Sequence, residues 1–501
     1  MKMLQASSSW KGAQERLERH DDLPHVLIQV EALLGRTSDA QREGAETEEE
    51  AGFELKRLLQ AFAAFGVVSC FVTYARTARD IQRAEGLLKE AVGNEEGLKT
   101  PRLVCITQNT TRVALLYALT YPKSAFQRTI LFCSSADDAL AISARKADVE
   151  VVSCSMDNDQ ISTTFFLQHI VRSHVRMYKA SLSPKEKQPI VIGYLVKWSR
   201  ACSLGRQKLL HLRIIDGVCY VPVEHLMNLE HQQSKFDLLL HKASDWMMYD
   251  KEGNALKLSL PPVFQSLKDA RCPPWLDAVD TTMPILSRMD IHKLVAELEN
   301  ENQKVFMPRT GLLQECEHAL EGRAPFIVKS NVACGVSFSH KMIIVHRFQK
   351  QEFQKLLTTC YANLRDLVVQ DFVDHDGYEM KVYCIGEDSY LYRRQLGEES
   401  PSTDDTCDDF TVFDSLESKS KNPDKTNYPI QDEDKEVLLE CAQWLRTKLN
   451  LTLFGFDALK VRGSDQIAII DINYFPSFKG IAGAQSSLHS VCLKKAMKGN
   501  L

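Results

Sequence analysis

The sequence lacks cysteines at metal-binding spacing, although its 501 residues include 14 of them. No two cysteines form a CxxC pair, which argues against the common zinc cages and against a disulfide framework. The first residues also lack a basic segment followed by an apolar core, so we expect no secretory signal. The simplest expectation is a cytoplasmic protein with reduced thiols, and a nuclear location would fit as well.

Long hydrophobic runs and an excess of positive charge are also absent. The longest largely apolar stretch, residues 58–72, is interrupted by polar residues and glycine. It falls short of the roughly 20 residues that span a bilayer. The net charge of −5 is unlike that of a protein with a generally basic, nucleic-acid-binding surface. We therefore predict no membrane span and no nucleic-acid partner, and we expect a monomer.

Two common motifs of phosphoryl transfer are missing as well. The sequence has neither a GxxxxGK[ST] phosphate loop nor the HRD and DFG motifs of protein kinases. Cationic residues that could bind a polyanion are dispersed along the chain, namely Lys197, Arg200, Lys242, His340, Lys381, Arg393 and Arg394. Singly, each is more often a solvated surface charge, so only a fold that gathers them would create an anion site.

Helical patterns alternate with short β-rich runs, which predicts an α/β layer fold. The early predicted strands are 67–72, 103–107, 129–133 and 149–154. A polar tract with two prolines at 181–189 marks a domain boundary. We predict an additional N-terminal α/β domain over 1–180, a second α/β domain over 189–284 and a final domain over 285–495. A flexible surface insertion is predicted at about 397–434, where Ser, Asp, Glu, Lys and Pro dominate.

The strongest chemical signal is a predicted hairpin near the C-terminus. Two β-rich runs within residues 453–473 flank a Gly-Ser-Asp turn. If the turn is centred on Ser464, Asp457 and Asp471 face each other with Cβ atoms roughly 4.5–5.5 Å apart. Asn473 then falls on the same face of the strand as Asp471.

Facing carboxylates repel each other unless a proton or a cation lies between them. Three oxygen ligands with room for phosphate oxygens and water suit Mg²⁺. The alternative is an exposed hairpin whose acids face solvent. The strongly apolar neighbours favour a buried sheet instead; they are Phe454, Phe456, Ile469, Ile470 and Ile472. We therefore predict Mg²⁺ bound by Asp457, Asp471 and Asn473.

Candidate nucleotide contacts are weaker. The apolar run Phe326-Ile-Val-Lys329 ends in a lysine, and Val332-Ala-Cys-Gly335 follows it. A lysine at this place could contact nucleotide phosphates, and a lysine that only extends from a strand end to solvent is an equal alternative. The strands predicted at 367–373 and 379–384 could border a nucleotide or simply fill a core.

Taken together, the motifs resemble the inositol 1,3,4-trisphosphate 5/6-kinase family, also called inositol-tetrakisphosphate 1-kinase. The resemblance rests on three sequence blocks that occur in the family's order. The first is His-Lys-Ala-Ser-Asp245, and the second is Ile-Val-Lys-Ser-Asn-Val-Ala-Cys-Gly335. The third is Leu-Phe-Gly-Phe-Asp followed by Ile-Ile-Asp-Ile-Asn-Tyr-Phe-Pro476. It runs from about 189 to 480. It is greatest to the long plant-type members that carry an extra N-terminal domain.

The resemblance implies an ATP-grasp kinase with an N-terminal α/β inositol-binding unit and with ATP between two antiparallel sheets. The implied activity is transfer of the ATP γ-phosphate to a ring hydroxyl of an inositol tris- or tetrakisphosphate. Isomerase or phosphate-exchange activity is left open. The additional N-terminal domain resembles a degenerate haloacid-dehalogenase fold. Gln29 stands there in place of the expected nucleophilic aspartate, so we expect no phosphatase activity.

The resemblance also implies site residues. ATP contacts are expected at Arg288, Lys329, Gln370, Lys381 and Ser415. Inositol phosphate contacts are expected at Arg200, Lys242, His340, Lys381 and Asn473. The implied Mg²⁺ ligands are Asp457, Asp471 and Asn473, and the implied catalytic residues are Asp471, Asn473 and Lys381. Arg200 and Cys334 depart from the family's usual lysine and histidine, which leaves the preferred inositol isomer open.

Two alternative functions remain open at this point. One is an ATP-grasp carboxylate–amine ligase, which forms an acyl-phosphate and couples it to an amine. The other is a non-catalytic receptor for an inositol phosphate or a nucleotide. The dispersed cationic residues favour a polyanionic substrate over the ligase. Retention of Asp457, Asp471 and Asn473 favours catalysis over the receptor.

Overall fold

The structure is a computed structural model that divides into two compact units. The first unit takes residues up to Tyr194 together with Trp198–Leu239, and the second takes Leu195–Lys197 and Leu240–Leu501. The three-domain division predicted from the sequence stays a prediction. The structure describes residues 25–29, 57–58, 60, 64, 69–74, 102–106, 129–133, 150–153, 163–225, 229, 232, 235–248, 257–258, 263–264, 273–333, 337–361, 366–396, 409–414 and 430–499.

A five-stranded parallel sheet opens the first unit. Its order is β3-β2-β1-β4-β5, with β1 in the centre. The strands are β1 (His25–Gln29), β2 (Ser69–Tyr74), β3 (Arg102–Ile106), β4 (Thr129–Cys133) and β5 (Glu150–Ser153). Parallel neighbours need crossover connections, usually helical, so this sheet fits the predicted alternation of strands and helices. The expected likeness to a degenerate haloacid-dehalogenase fold stays a prediction.

A three-stranded sheet with the order β7-β6-β8 follows. The elements of this region are α1 (Thr163–Ser181), β6 (Ile190–Leu195), α2 (Trp198–Arg206), β7 (Val218–Pro222) and β8 (Leu238–His241). Every residue of β7 and β8 is buried. Continuous apolar runs of this kind are typical of strands covered on both faces.

The second unit contains a mainly antiparallel sheet with the order β11-β20-β19-β16-β17. Its strands are β11 (Val305–Phe306), β16 (His375–Ile385), β17 (Asp388–Gln395), β19 (Leu453–Val461) and β20 (Ile467–Tyr474). Two helices, α7 (Asp432–Leu449) and α8 (Ala484–Gly499), pack against β16. The first turn of α7 is acidic and its last turn is basic, which complements the helix dipole.

A second, antiparallel sheet of this unit has the order β12-β15-β13-β14-β18. Its strands are β12 (Thr310–Leu312), β13 (Phe326–Ser330), β14 (Lys341–Val345), β15 (Leu367–Asp371) and β18 (Phe410–Asp414). Phe353 and Tyr361 of α6 (Lys350–Tyr361) complete its apolar core. The strand β18 lies inside the stretch predicted as a surface insertion, so part of that stretch belongs to the sheet.

The helix α4 (Arg288–Glu301) contacts strands of both sheets, namely β11, β12 and β20. It starts after Ser287, whose side chain accepts a hydrogen bond from the Asp290 amide as an N-cap. Shorter elements complete the described part: β9 (Met247–Met248), β10 (Lys257–Leu258), α3 (Val279–Thr282), α5 (Leu313–Cys316) and four 3-10 turns. Among the helices that the structure describes, none has the length and apolar character needed to cross a bilayer.

Candidate active site

The predicted metal ligands lie on the hairpin formed by β19 and β20. Asp457 is paired directly with Asp471, which confirms the predicted register of the two aspartates. The ladder is not regular, because the register shifts just past this pair and Ala458 lies opposite Ile469 instead of Ile470. A β-bulge of this kind leaves one residue unpaired and increases the local twist. The hairpin is therefore irregular beside the two carboxylates, where the sequence predicted a regular ladder.

A row of charged side chains crosses the sheet at this pair. Lys381 of β16 is the partner of Asp457 on its other side, and its Nζ lies 2.6 Å from Asp457 Oδ2. Burial lowers the pKa of Lys381, but the carboxylates of Asp457 and Glu379 outweigh it and raise that pKa overall. Burial raises the pKa of Asp457, with Lys381 opposing and the carboxylates of Glu379 and Asp471 adding to the shift. The two close carboxylates thus favour the charged form of the Lys381 ammonium.

The oxygen atoms of this row fit a bound cation. Asn473 Nδ2 donates a 2.8 Å hydrogen bond to Asp471 Oδ2, so the amide oxygen is the atom that could bind a metal. Asp471 Oδ1 is buried and accepts no hydrogen bond from any residue that the structure describes. A buried carboxylate oxygen normally has a partner, so this atom points to a ligand. Asp457, Asp471 and Asn473 are therefore suited to hold a hard divalent ion such as Mg²⁺.

Glycine is required beside this site at Gly455, the partner of Asn473 in the ladder. A Cβ atom at this position would lie 2.8 Å from the carbonyl oxygen of Val382 and 3.2 Å from Pro476. The first contact is with backbone, which cannot rotate away. The absence of a side chain thus allows the strands to approach each other next to the predicted metal ligands.

Glu379 extends the charged row at the neighbouring position of β16. Its Oε2 atom lies 3.1 Å from Lys381 Nζ and 2.7 Å from Nη2 of Arg394. Arg394 is its direct partner on β17. Only 9% of the Glu379 side chain is exposed, against 28% of the Arg394 side chain. Glu379 therefore joins two cationic residues on the same face as the aspartate pair.

The candidate phosphate lysine, Lys329, lies on β13 of the other sheet and is buried. Its Nζ donates to Gln370 Oε1 at 2.7 Å, and Gln370 Nε2 donates to Thr310 Oγ1 at 3.0 Å. Burial and the nearby Arg288 lower the pKa of Lys329 to about 7, while Asp471 opposes that shift. Asp471 belongs to the hairpin sheet, so its carboxylate contributes to the electrostatic surroundings of Lys329 on the other sheet.

Arg288, predicted to contact ATP, is also buried. Its Nη1 donates to the carbonyl oxygens of Ser330 (2.6 Å) and Val332 (2.7 Å), and Nη2 donates to Ser339 O at 3.2 Å. The guanidinium therefore links the end of β13 to the 3-10 turn Ser337–His340. A direct contact with ATP stays a prediction.

Lys242, predicted to contact the inositol phosphates, donates hydrogen bonds from its ammonium group to backbone carbonyl oxygens. Nζ donates to Tyr474 O at 2.5 Å and to Phe475 O at 3.3 Å, and the side chain is buried. Lys242 thus holds the chain where β20 ends, directly after Asn473. Its contact with substrate stays a prediction.

The remaining predicted residues belong to other elements or lie outside the described residues. Arg200 is on the first turn of α2 in the first unit, where it is half-buried. His340 ends the 3-10 turn Ser337–His340, just before β14. Ser415, predicted to contact ATP, lies outside the described residues, as does Cys334. The expected roles of all four positions stay predictions.

Sequence reasoning did not single out Glu379 as a site residue. A signal was available, because Glu379 and Lys381 place charges at alternate positions of a largely apolar strand, hence on one face.

A buried brace, the hydrogen-bonded pair of His241 and Asp277, was also missed, and no sequence pattern indicated it. His241 Nε2 donates to Asp277 O at 2.9 Å, and the Asp277 carboxylate accepts from the amides of Thr452 (2.6 Å) and Leu453 (3.1 Å). The brace fixes the start of β19.

Part of the chain is similar to a known protein family. The sequence model that describes the inositol 1,3,4-trisphosphate 5/6-kinase ATP-grasp domain matches residues 300–493. This range contains every strand of both sheets of the second unit, from β11 to β20. The match therefore covers the charged row, Lys329 and Gln370.

Individual relatives cover more of the chain at low identity. Inositol-tetrakisphosphate 1-kinase 6 of Oryza sativa subsp. indica is 25% identical over 58% of this chain and 57% of its own length. Inositol-tetrakisphosphate 1-kinase of Danio rerio is 26% identical over 58% of this chain and 75% of its own. Among solved structures, D-alanyl-alanine synthetase A of Vibrio cholerae overlaps 62% of this chain and 99% of its own, with 13% identity and a TM-score of 0.42. The chain thus spans just over half the length of the rice relative.

Proposed function

This chain belongs to the inositol 1,3,4-trisphosphate 5/6-kinase family, and we propose on that premise that it transfers the γ-phosphate of ATP to a hydroxyl group of an inositol phosphate. The family and the ATP-grasp fold predicted from the sequence are confirmed by the match over residues 300–493. The relatives are named inositol-tetrakisphosphate 1-kinases. The acceptor and the reaction of this chain are inferred from its own site.

One observation carries the proposal: Asp457 and Asp471 face each other beside Lys381, and a buried oxygen of Asp471 has no partner among the described residues. We infer that Asp457, Asp471 and Asn473 hold Mg²⁺. Bound there, the ion would neutralise charge on the transferring phosphate, which is the main demand of phosphoryl transfer. The protein's own task is to bring the phosphate chain and the acceptor hydroxyl to that place.

Lys329 is the residue we assign to the phosphates of ATP. It lies on β13, and the carboxylate of Asp471 opposes the lowering of its pKa. Its partner Gln370 fixes the direction of the ammonium. Lys381 supplies a second positive charge next to the aspartate pair. Cations that are already in place stabilise developing negative charge without having to reorganise.

We further propose that the acceptor is an inositol tris- or tetrakisphosphate. Support comes from the cationic residues on the face of the charged row, Lys381 and Arg394, which suit an anionic substrate. Lys242, His340 and Arg200 remain proposed contacts for the other phosphates. Phosphate exchange between ring positions would use the same site: bound ADP would take a phosphoryl group from one ring position, and the ATP so formed would donate it to another.

The proposal is tested with the full chain, Mg-ATP and a panel of inositol phosphates, with products separated by anion exchange. We expect a product with one more phosphate and a matching release of ADP, without any amine present. Turnover that needs a carboxylate and an amine would instead identify a ligase. Binding of inositol phosphate without any ATP turnover would identify a receptor, and either result would overturn the kinase assignment.

A further inference from the structure

Glu379 is placed unusually for a residue of a polyanion site. A site that binds phosphate groups gains from cations, whereas Glu379 puts a buried negative charge between two of them, Lys381 and Arg394. The distances of 3.1 and 2.7 Å are those of ion pairs. The carboxylate therefore compensates the charge of both cations, which a phosphate oxygen would otherwise do.

The alternation of side chains along the strands places Glu379 on the same face of the sheet as the aspartate pair. Glu379, Lys381 and Arg394 share one face of the sheet with Asp457 and Asp471, because they meet at directly opposed positions of the ladder. The neighbouring Arg393 faces the other side, where its guanidinium stacks 3.6 Å from the Tyr378 ring. Of the two adjacent arginines, only Arg394 thus lies on the candidate site's face.

We propose that Glu379 is a specificity-determining residue that acts as an internal anion, occupying Lys381 and Arg394 until a phosphoryl group of the ligand displaces it. The proposal rests on the proposed kinase site and concerns which anions that site accepts. Arg394 is the more exposed partner and is where an incoming phosphoryl group would compete first. A ligand then binds only if its charge is high enough to replace the carboxylate, which disfavours weakly charged anions.

A second buried ion pair, between helix α7 and strand β19, serves as a matched control for the substitution of Glu379. Asp434 and Lys460 form a buried ion pair at 2.6 Å, with side-chain exposures of 6% and 13%. These values resemble the 9% and 10% of Glu379 and Lys381. Lys460 is an odd number of positions from Asp457 on β19, so it lies on the opposite face and its acid comes from α7. Replacement of either acid by its amide removes one buried charge, but only Glu379→Gln changes the site.

The experiment measures binding of inorganic tripolyphosphate to the full chain by calorimetry in metal-free buffer, so no turnover is needed. We expect Glu379→Gln to bind the probe about tenfold more tightly than the wild type, because the carboxylate that competes for Lys381 and Arg394 is gone. Asp434→Asn should bind it as the wild type does. Parallel titrations with ATP and with an inositol trisphosphate identify the ligand whose phosphoryl group replaces the carboxylate, because only that ligand should share the gain.

Glu379→Asp keeps the charge but withdraws it by one methylene, and it serves if the amide variant does not fold. Its affinity should lie between those of the wild type and Glu379→Gln. Unchanged or weaker binding in both variants would show that Glu379 merely orients Lys381 and would overturn the proposal. Failure of the kinase function would appear separately, as a wild type that binds tripolyphosphate but phosphorylates no inositol phosphate.

Discussion

Two buried lysines on the two sheets of the second unit meet opposite electrostatic surroundings. Lys329 has a neutral partner, Gln370, and burial together with Arg288 lowers its pKa to about 7. Lys381 is buried to a similar extent, yet the carboxylates of Asp457 and Glu379 raise its pKa. Both residues are buried lysines on strands, so the partners that each one meets decide the direction of its pKa shift.

This difference suggests different tasks for the two lysines. An ammonium whose charge is already compensated, like that of Lys381, keeps a fixed place in the charged row. An ammonium without a compensating anion, like that of Lys329, gains most when an anionic ligand arrives. We therefore assign ligand capture to Lys329 and the fixed electrostatic frame to Lys381, and the following predictions test this contrast.

The largest effect is expected for Asp471→Asn, because Asp471 interacts with both Asp457 and Lys329. We expect kcat/KM for the kinase reaction to fall by about a thousandfold, the scale of losing one centre of electrostatic stabilisation. Binding of Mn²⁺, followed by electron paramagnetic resonance, should weaken in parallel. Asp434→Asn is the control on the other face of the sheet. Wild-type-like activity and ion binding in the folded Asp471→Asn variant would refute the metal assignment.

Lys381→Met should be the most destabilising of the lysine substitutions. It leaves the buried carboxylates of Asp457 and Glu379 without the ammonium between them, and breaking a buried pair costs about 3–5 kcal/mol. Lys329→Met removes a charge that burial already disfavours, so it should change the free energy of unfolding by less than about 1 kcal/mol. Urea unfolding of both variants measures the contrast. Equal losses would mean that the two lysines do not differ in the way proposed.

Lys329→Met should nevertheless weaken ATP binding by about tenfold to a hundredfold, the worth of a charged hydrogen bond. The reason is that Lys329 Nζ donates to a neutral side chain, Gln370, so an anionic ligand would compensate its charge. Calorimetric titration with ATP gives the Kd, and unchanged affinity for an inositol phosphate serves as the internal control. An ATP affinity equal to that of the wild type would remove Lys329 from the nucleotide site.

The smallest effect concerns pH. Below its pKa of about 7 Lys329 is already an ammonium, and above that pH it is mostly neutral. ATP favours the charged form, so binding at pH 8 should take up close to one proton per ATP, and affinity should fall as pH rises through about 7. Calorimetric titrations with ATP in buffers of different ionisation enthalpy give the number of protons taken up on binding. Lys329→Arg keeps its charge and should lose the uptake; an uptake that persists in this variant would come from another group.

The hairpin was the part of the site most open to prediction. The apolar alternation around Asp457 and Asp471 and the Gly-Ser-Asp turn between them act over a few residues, so their pairing followed from local rules. The bulge at Ile470 did not, because a one-residue shift depends on the packing of the whole sheet. The strand β18 was also missed, since its polar flanks resemble an insertion and its pairing with β14 is distant in sequence.

The hydrogen-bond partners of individual basic side chains were less predictable. Lys242 and Arg288 were expected at ligands, and the structure shows their donors on backbone carbonyls. A long flexible side chain reaches many acceptors, and the nearest one depends on how distant segments pack. The likeness to a kinase family therefore located these residues near the site without determining which atoms they contact.

What the sequence by itself determined is the pair of facing aspartates with Asn473 beside them, and the family to which the ATP-grasp domain belongs. Only the tertiary structure decided that Lys381 is compensated and Lys329 is not, and that Glu379 lies between Lys381 and Arg394. The physical reason is the distance along the chain over which each interaction acts. Strand alternation and turn geometry act between near neighbours, whereas the charge of a buried group is set by partners that folding brings from elsewhere in the chain.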